Sequence, residues 1–236
     1  MKPQSSRGRA AALPARHPRV RAADEGVAQE HVILLHGIWM RGITLMPLAR
    51  RLRQAGYSVE TIDYASVFRG IGPAVGKLRE RMLAHDGAVH LVGHSLGSLV
   101  ALEATRGVRR LPKGRIVCIG PPLRGSAVAR ALTAFPGGRL LLGHSAEPLL
   151  VGVDAWTGVR NVGVIAGRLP FGLGITLGPL MAPHDGTVSV EETRLEGISD
   201  HRTVAASHTG LLFSSEVADL TLAFLRSGRF APPARD

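Results

Sequence analysis

The sequence predicts an α/β fold with a mostly parallel sheet of about six strands and helices on both faces. Three observations carry this. From residue 31 onward, short apolar runs alternate with helical stretches. The runs are apolar at successive positions, as strands covered on both faces require. The helical stretches space their apolar residues three or four apart, which puts them on one side of a helix. A chain of 236 residues suits one such domain and can bury a core without covalent staples.

The elements follow in order. The run 31–37 (HVILLHG) reads as a buried strand. Residues 44–56 read as a helix with Leu45, Leu48 and Leu52 aligned and Gly56 as its stop. Residues 57–63 form a second strand, and 73–83 a helix aligning Val75, Leu78 and Met82. Residues 88–93 are a third strand leading into a helix through 98–106. Further strands are expected at 115–120, 159–167 and 201–207, with a final helix at 216–228 ending at Gly228.

Composition narrows the function. Lys and Arg number 29 against 18 Asp and Glu, which raises nucleic acid as a partner. The basic residues are spread along the chain, no recognition motif accompanies them, and only two Trp and two Tyr are present for base stacking. A solvated basic surface and no nucleic-acid partner is the reading. Residues 1–30, rich in Arg, Ala and Pro, lack apolar periodicity and read as a mobile basic arm. That arm has no apolar core of a secretory signal, although an Arg-rich, acid-poor start also fits an organellar transit peptide. No segment offers 18 sufficiently apolar residues for a membrane span, and a cytoplasmic location is expected. The single cysteine, Cys118, excludes an intrachain disulfide and reads as a small buried hydrophobe.

The tripeptide Gly-His-Ser occurs twice, ending at Ser95 and at Ser145. A serine on a sharp strand-to-helix turn needs very small residues two before and two after it. Ser95 has Gly93 and Gly97 there, with His94 between, and a strand and a helix on either side. Ser145 has Gly143 but Glu147, and Pro148 opposes a helix beginning at that serine, so Ser145 reads as a loop or cap position. A serine hydroxyl needs an imidazole to take its proton and a carboxylate to orient that imidazole. Among His144, His184, His201 and His208, only His208 lies just past the last strand, where a loop brings it over the sheet's carboxyl edge. It also reads as a cap for the following helix. Asp185, in a turn after the fifth strand, is the acid; its plain alternative is an Asp-Gly turn former. Asp154 and Asp200 precede strands and would emerge at the opposite edge. After the first strand, His36-Gly37 turns sharply, so the N–H of Ile38 and that of Leu96 are the candidate donors to an oxyanion.

These residues, "HGIW", "GHSLG", "DGTV" and "SHTG" in this order, resemble the α/β-hydrolase family over roughly residues 31–230, most closely its compact bacterial lipases and esterases. The resemblance implies an α/β-hydrolase fold, a Ser95, Asp185, His208 triad, and an oxyanion hole from Ile38 and Leu96. It also makes the insertion at about 121–158 a cap over the nucleophile; the alternative is a packed excursion without a role in binding. The chain departs from larger members in having only an arm before residue 31 and no further glycines after Gly37. The apolar insertion suits an ester with an apolar acyl group, and Trp39, Met40 and the Gly-rich stretch 169–180 are candidate substrate-lining residues, with core packing the alternative for each. The function expected is a serine carboxyl-ester hydrolase working through an acyl-enzyme. An acyltransferase with the same triad and a non-catalytic binding protein of the same fold are the alternatives. No metal or organic cofactor is implied, because the histidines lack ligand spacing.

Overall fold

A computed structural model describes residues 29–172 and 180–230. The arm expected at residues 1–30 falls almost wholly outside the described residues, as does most of the 169–180 stretch.

Six strands form one sheet: β1 (His31–Leu35), β2 (Ser58–Ile62), β3 (Val89–His94), β4 (Ile116–Ile119), β5 (Val162–Gly167) and β6 (Asp200–Val204). Their order is β2-β1-β3-β4-β5-β6, and every pairing is parallel. The four inner strands are buried nearly throughout. The edge strands β2 and β6 carry the polar side chains, Ser58, Glu60 and Thr61 on one and Asp200, His201 and Arg202 on the other.

Strand side chains alternate between two apolar layers. Ile33, Leu35, Leu91 and Val164 face one side, against α2 (Gly72–Leu83) and α3 (Leu96–Thr105). Val32, Leu34, Val92 and Ile165 face the other, against α1 (Met46–Gln54) and α7 (Ser215–Ser227). Leu48 and Leu52 of α1 and Leu78 and Met82 of α2 are buried as their spacing predicts. Between β4 and β5 the insertion folds as three short helices, α4 (Ala127–Thr133), α5 (Gly138–Leu142) and α6 (Ala146–Val151). Their Leu132, Leu142 and Leu149 join the layer holding α2 and α3. No helix among the described residues is long and apolar enough to cross a membrane.

Some boundaries differ from those the sequence suggests. The first helix opens with a 3-10 turn, Gly42–Leu45, before α1 begins at Met46 with Pro47 in its first turn. Strand β5 begins only at Val162, because Arg160 turns inward to donate to the Val89 and Pro112 carbonyls. Strand β6 ends at Val204, whose carbonyl is taken by the N–H of Ala206 in a tight turn.

The order reverses about β1: its successor β2 lies on one side and β3 on the other. In open parallel sheets such a reversal leaves a crevice at the carboxyl ends of the two diverging strands, where ligands bind. Here the crevice falls between Gly37 and Ser95.

Candidate active site

Ser95 stands between β3 and α3 with φ 51° and ψ −120°, a conformation rarely adopted by a side-chain-bearing residue. Such a conformation costs on the order of 1–3 kcal/mol and persists only where its surroundings over-determine it. The Ser95 N–H donates to the Ile119 carbonyl at 2.9 Å, and its own carbonyl accepts from the Ser98 N–H at 3.0 Å. The Ser98 hydroxyl donates back to the Gly93 carbonyl at 2.8 Å. A Cβ on Gly93 would run into the Ser98 N–H, and one on Gly97 into the Leu35 carbonyl. Both positions must therefore be glycine for the turn to close.

Asp185 and His208 form a direct pair. The His208 Nδ1–H donates to Asp185 Oδ2 at 2.7 Å, since a carboxylate only accepts. That tautomer leaves Nε2 unprotonated and able to accept. The other carboxylate oxygen accepts the N–H groups of Thr187 at 2.9 Å and Val188 at 2.7 Å, and the His208 N–H donates to the Asp185 carbonyl at 2.9 Å. Asp185 is buried and its carboxylate is fixed by three bonds, so it cannot rotate away from the imidazole.

Two strands, β4 and β5, lie between β3 and β6, yet the loop after β6 returns as far as the turn bearing Ser95. His94 Nε2–H donates to the His208 carbonyl at 3.1 Å, and the two rings lie 4.7 Å apart. The imidazole of His208 also lies over Gly120, the residue after Ser95's partner Ile119. His94 is fully buried, and burial first, with the neighbouring His208 second, pushes its pKa down to about 3. It stays neutral and acts as a fixed link from the residue before Ser95 to the loop bearing His208.

On the other side of Ser95, a Cβ placed on Gly37 would lie 3.2 Å from the serine Cβ. The loop after β1 is clamped by His36, whose Nδ1–H donates to the Gly37 carbonyl at 2.8 Å while Nε2 accepts the Tyr64 N–H at 3.3 Å. The Tyr64 hydroxyl donates to the His36 carbonyl at 2.5 Å, and the two rings stack. Burial lowers the His36 pKa and so favours this neutral form. Among the described residues the Ile38 N–H makes no hydrogen bond, and Leu96, as the first residue of α3, has no intrahelical acceptor for its N–H. Helix starts are where such orphan donors gather around developing negative charge.

The remaining sequence candidates fall as follows. Trp39 has φ 59°, is more than half exposed, and its indole N–H donates to the Leu141 carbonyl of α5 at 2.9 Å, strapping the loop after β1 to the insertion. Met40 packs into the layer holding α1 and α7, with its sulfur against Gly37. Ser145 is fully buried and donates to the Ser66 carbonyl. His201 lies at the start of β6, 2.8 Å from the Thr193 hydroxyl, and burial pushes its pKa down to about 4. Asp200 accepts from the N–H of Phe230 at the amino edge. Cys118 is buried, and burial pushes its thiol up to about 12, which removes it as a nucleophile.

Three roles escape the sequence. Tyr64 and His36 brace the loop after β1. Glu192, which is buried, accepts the N–H and hydroxyl of Ser189 at 2.7 and 3.0 Å and also the Ala127 N–H, fastening the loop of Asp185 to the first turn of α4. A Ser-x-x-Glu spacing, Ser189 to Glu192, was the available signal. Nothing in sequence marks Tyr64, whose partners lie 28 residues away.

A family model described as the alpha/beta hydrolase family matches residues 32–191. No curated protein sequence matches the chain. Among solved structures, the lipase BlEst2 of Bacillus licheniformis in its propeptide form superposes with a TM-score of 0.72 at 18% identity, covering 89% of this chain and 53% of that one. The chain thus spans about half the length of the propeptide form. The mature form of the same lipase gives 0.67 at 17% identity, covering 92% of this chain and 96% of its own. An esterase, EaEST, from Exiguobacterium antarcticum gives 0.59 at 14% identity, with 85% and 94% covered. At these identities the likeness is one of fold.

Proposed function

The chain belongs to the α/β-hydrolase family, and from that premise we propose that it is a serine hydrolase cleaving carboxylic esters through an acyl-enzyme. The observation that carries this reading is Ser95, held at φ 51° on a strand-to-helix turn whose preceding residue is bonded to the loop of an Asp185–His208 pair. In this reading Ser95 Oγ attacks the ester carbonyl while His208 Nε2 takes its proton. The Asp185 carboxylate holds the imidazole in the accepting tautomer and balances the imidazolium that forms. The N–H groups of Ile38 and Leu96 meet the oxyanion. His208 then protonates the leaving alcohol, and water, deprotonated by the same imidazole, releases the acid from Ser95. No metal or cofactor enters these steps.

The insertion serves as a cap. The Trp39–Leu141 bond joins it to the oxyanion loop, and Glu192 joins it to the acid's loop. The likeness in fold to a lipase and an esterase accords with an ester whose acyl part is apolar. The deciding experiment is labelling with a fluorophosphonate, followed by peptide mapping. Modification of Ser95, abolished in Ser95→Ala, is expected; an unlabelled wild type, or a label on another serine, overturns the reading.

A further inference from the structure

Five of the six strands are followed, at their carboxyl ends, by a connection bearing an exposed aromatic side chain: Trp39 after β1, Phe68 after β2, Phe135 after β4, Phe171 after β5 and Phe213 after β6. The sixth connection, after β3, carries Ser95. Four of the chain's six phenylalanines are thus more than half exposed, all on connections that leave the edge holding the candidate site. Leu140 of α5 is 82% exposed beside them, and Phe68 81%. At the amino edge the exposed large apolar groups among the described residues are Leu83 and Val159. Two bonds brace neighbouring loops of this set, Trp39 to Leu141 and the Val67 carbonyl to the His144 N–H, tying the loops after β1 and β2 to the insertion.

Arginines are interleaved with them. Arg41, Arg69, Arg139 and Arg168 stand within two residues of Trp39, Phe68, Leu140 and Leu169, all are exposed, and none pairs with a carboxylate among the described residues. The same connections also carry exposed acids: Asp63 accepts the Gly42 N–H at 2.7 Å, Glu191 pairs with Arg124 and Arg194 and Asp219 with Arg51, while Glu80, Asp86, Glu147, Asp154, Glu196 and Glu216 have no ion pair among the described residues. We propose that this carboxyl-edge rim docks on an anionic lipid–water interface, with the aromatic and leucine side chains entering the headgroup boundary and the four arginines meeting lipid phosphates.

The chemistry favours lipid over other partners. Protruding groups on five separate loops suit a fluid interface, which accepts each independently. The leucines among the aromatics, Leu140 and Leu169, do not stack on bases, but they do partition into acyl chains. The arginines add attraction that depends on anionic headgroups and falls with salt. Docking would set the mouth of the Ser95 site against the membrane and supply its ester from the bilayer. That last step rests on the hydrolytic reading, while docking itself does not.

The test uses the full-length Ser95→Ala chain, which separates docking from catalysis. Sedimentation with phosphatidylcholine vesicles is compared with vesicles also containing phosphatidylglycerol. Binding at least about tenfold tighter to the anionic vesicles is expected. Adding Phe68→Ser and Leu140→Ser, two highly exposed sites where the fold has least to lose, should weaken it at least about fivefold. The matching pair Leu83→Ser and Val159→Ser should leave it unchanged. Melting curves check that each variant is folded. Absence of vesicle binding overturns the proposal, as does binding that the Phe68 and Leu140 changes leave intact, which would be adhesion of a basic protein by charge alone. Retention on poly-uridine, or a dimer in solution, without vesicle binding would give the rim to RNA or to a second copy and overturn it equally.

Discussion

The chain contains the same tripeptide in two settings, and the two differ in which residue bears the backbone strain. In Gly93-His94-Ser95 the positive φ falls on the serine, 51° with ψ −120°. In Gly143-His144-Ser145 it falls on the glycine, 55° with ψ −138°, and Ser145 relaxes to φ −86°, ψ 0°. The two strained conformations nearly coincide, displaced by two residues along one motif. Where glycine takes it, the turn costs little, and the serine hydroxyl is spent on the Ser66 carbonyl in a buried joint between α5 and α6. Where serine takes it, the hydroxyl is held clear of its own backbone, at the end of a strand and the start of a helix. A motif therefore does not make a nucleophile; the position of the strain within it does.

The largest effect that sharpens this contrast is on turnover. Ser95→Ala should cut hydrolysis of a short p-nitrophenyl ester by at least roughly 10³-fold while the melting temperature holds or rises, because alanine removes the hydroxyl and no hydrogen bond of the fold. Ser145→Ala should retain most activity. If the two variants exchange these behaviours in a steady-state assay, the contrast is broken.

Next comes the acid. Asp185→Asn can invert the His208 tautomer and should lose at least roughly 10²-fold in turnover, whereas Asp200→Asn should lose far less. Circular dichroism melts must accompany the rates, since Asp185 also holds the Thr187 and Val188 N–H groups. A folded, active Asp185→Asn would remove it from the site.

Smaller effects fall on stability. Gly143→Ala puts a Cβ into the Val67 carbonyl at a positive φ, and should cost about 2 kcal/mol or more in urea unfolding. Ser145→Ala should cost about 1 kcal/mol through the lost bond to Ser66. Finally, the folded pKa of His94, about 3, lies below its ordinary 6.5. As pH falls through that interval the unfolded chain takes up the proton first, so the stability of the neutral, buried form is complete above about 6.5 and is lost toward 3. Between pH 7 and 5 the wild-type melting temperature should fall, and His94→Gln, which keeps a donor for the His208 carbonyl, should fall less steeply, by up to about 1.4 kcal/mol per pH unit.

The sheet was legible because its inner strands are buried on both faces and so read as uninterrupted apolar runs. Ser95 was legible because steric closure of its turn demands glycine at two fixed positions. Asp185 and His208 could be read from which strand ends they follow. What the sequence concealed is polar and long-range. The hold of Tyr64 on His36, of His94 on His208 and of Glu192 on Ala127 each joins residues far apart in the chain, with no periodicity to announce it. The three short helices of the insertion were hidden for a related reason. Each is too brief to show a turn-by-turn pattern and exists through packing of Leu132, Leu142 and Leu149.

Every pairing in the sheet is parallel, so no two strands meet through a tight hairpin and each contact awaits a whole intervening segment. During synthesis Gly37 and Ser95 emerge early, while Asp185 and His208 come near the end. A nascent chain halted before residue 208 has no His208 carbonyl for His94 to grip and no base for its serine. The chemistry proposed for this protein therefore begins only when its last strand has been made.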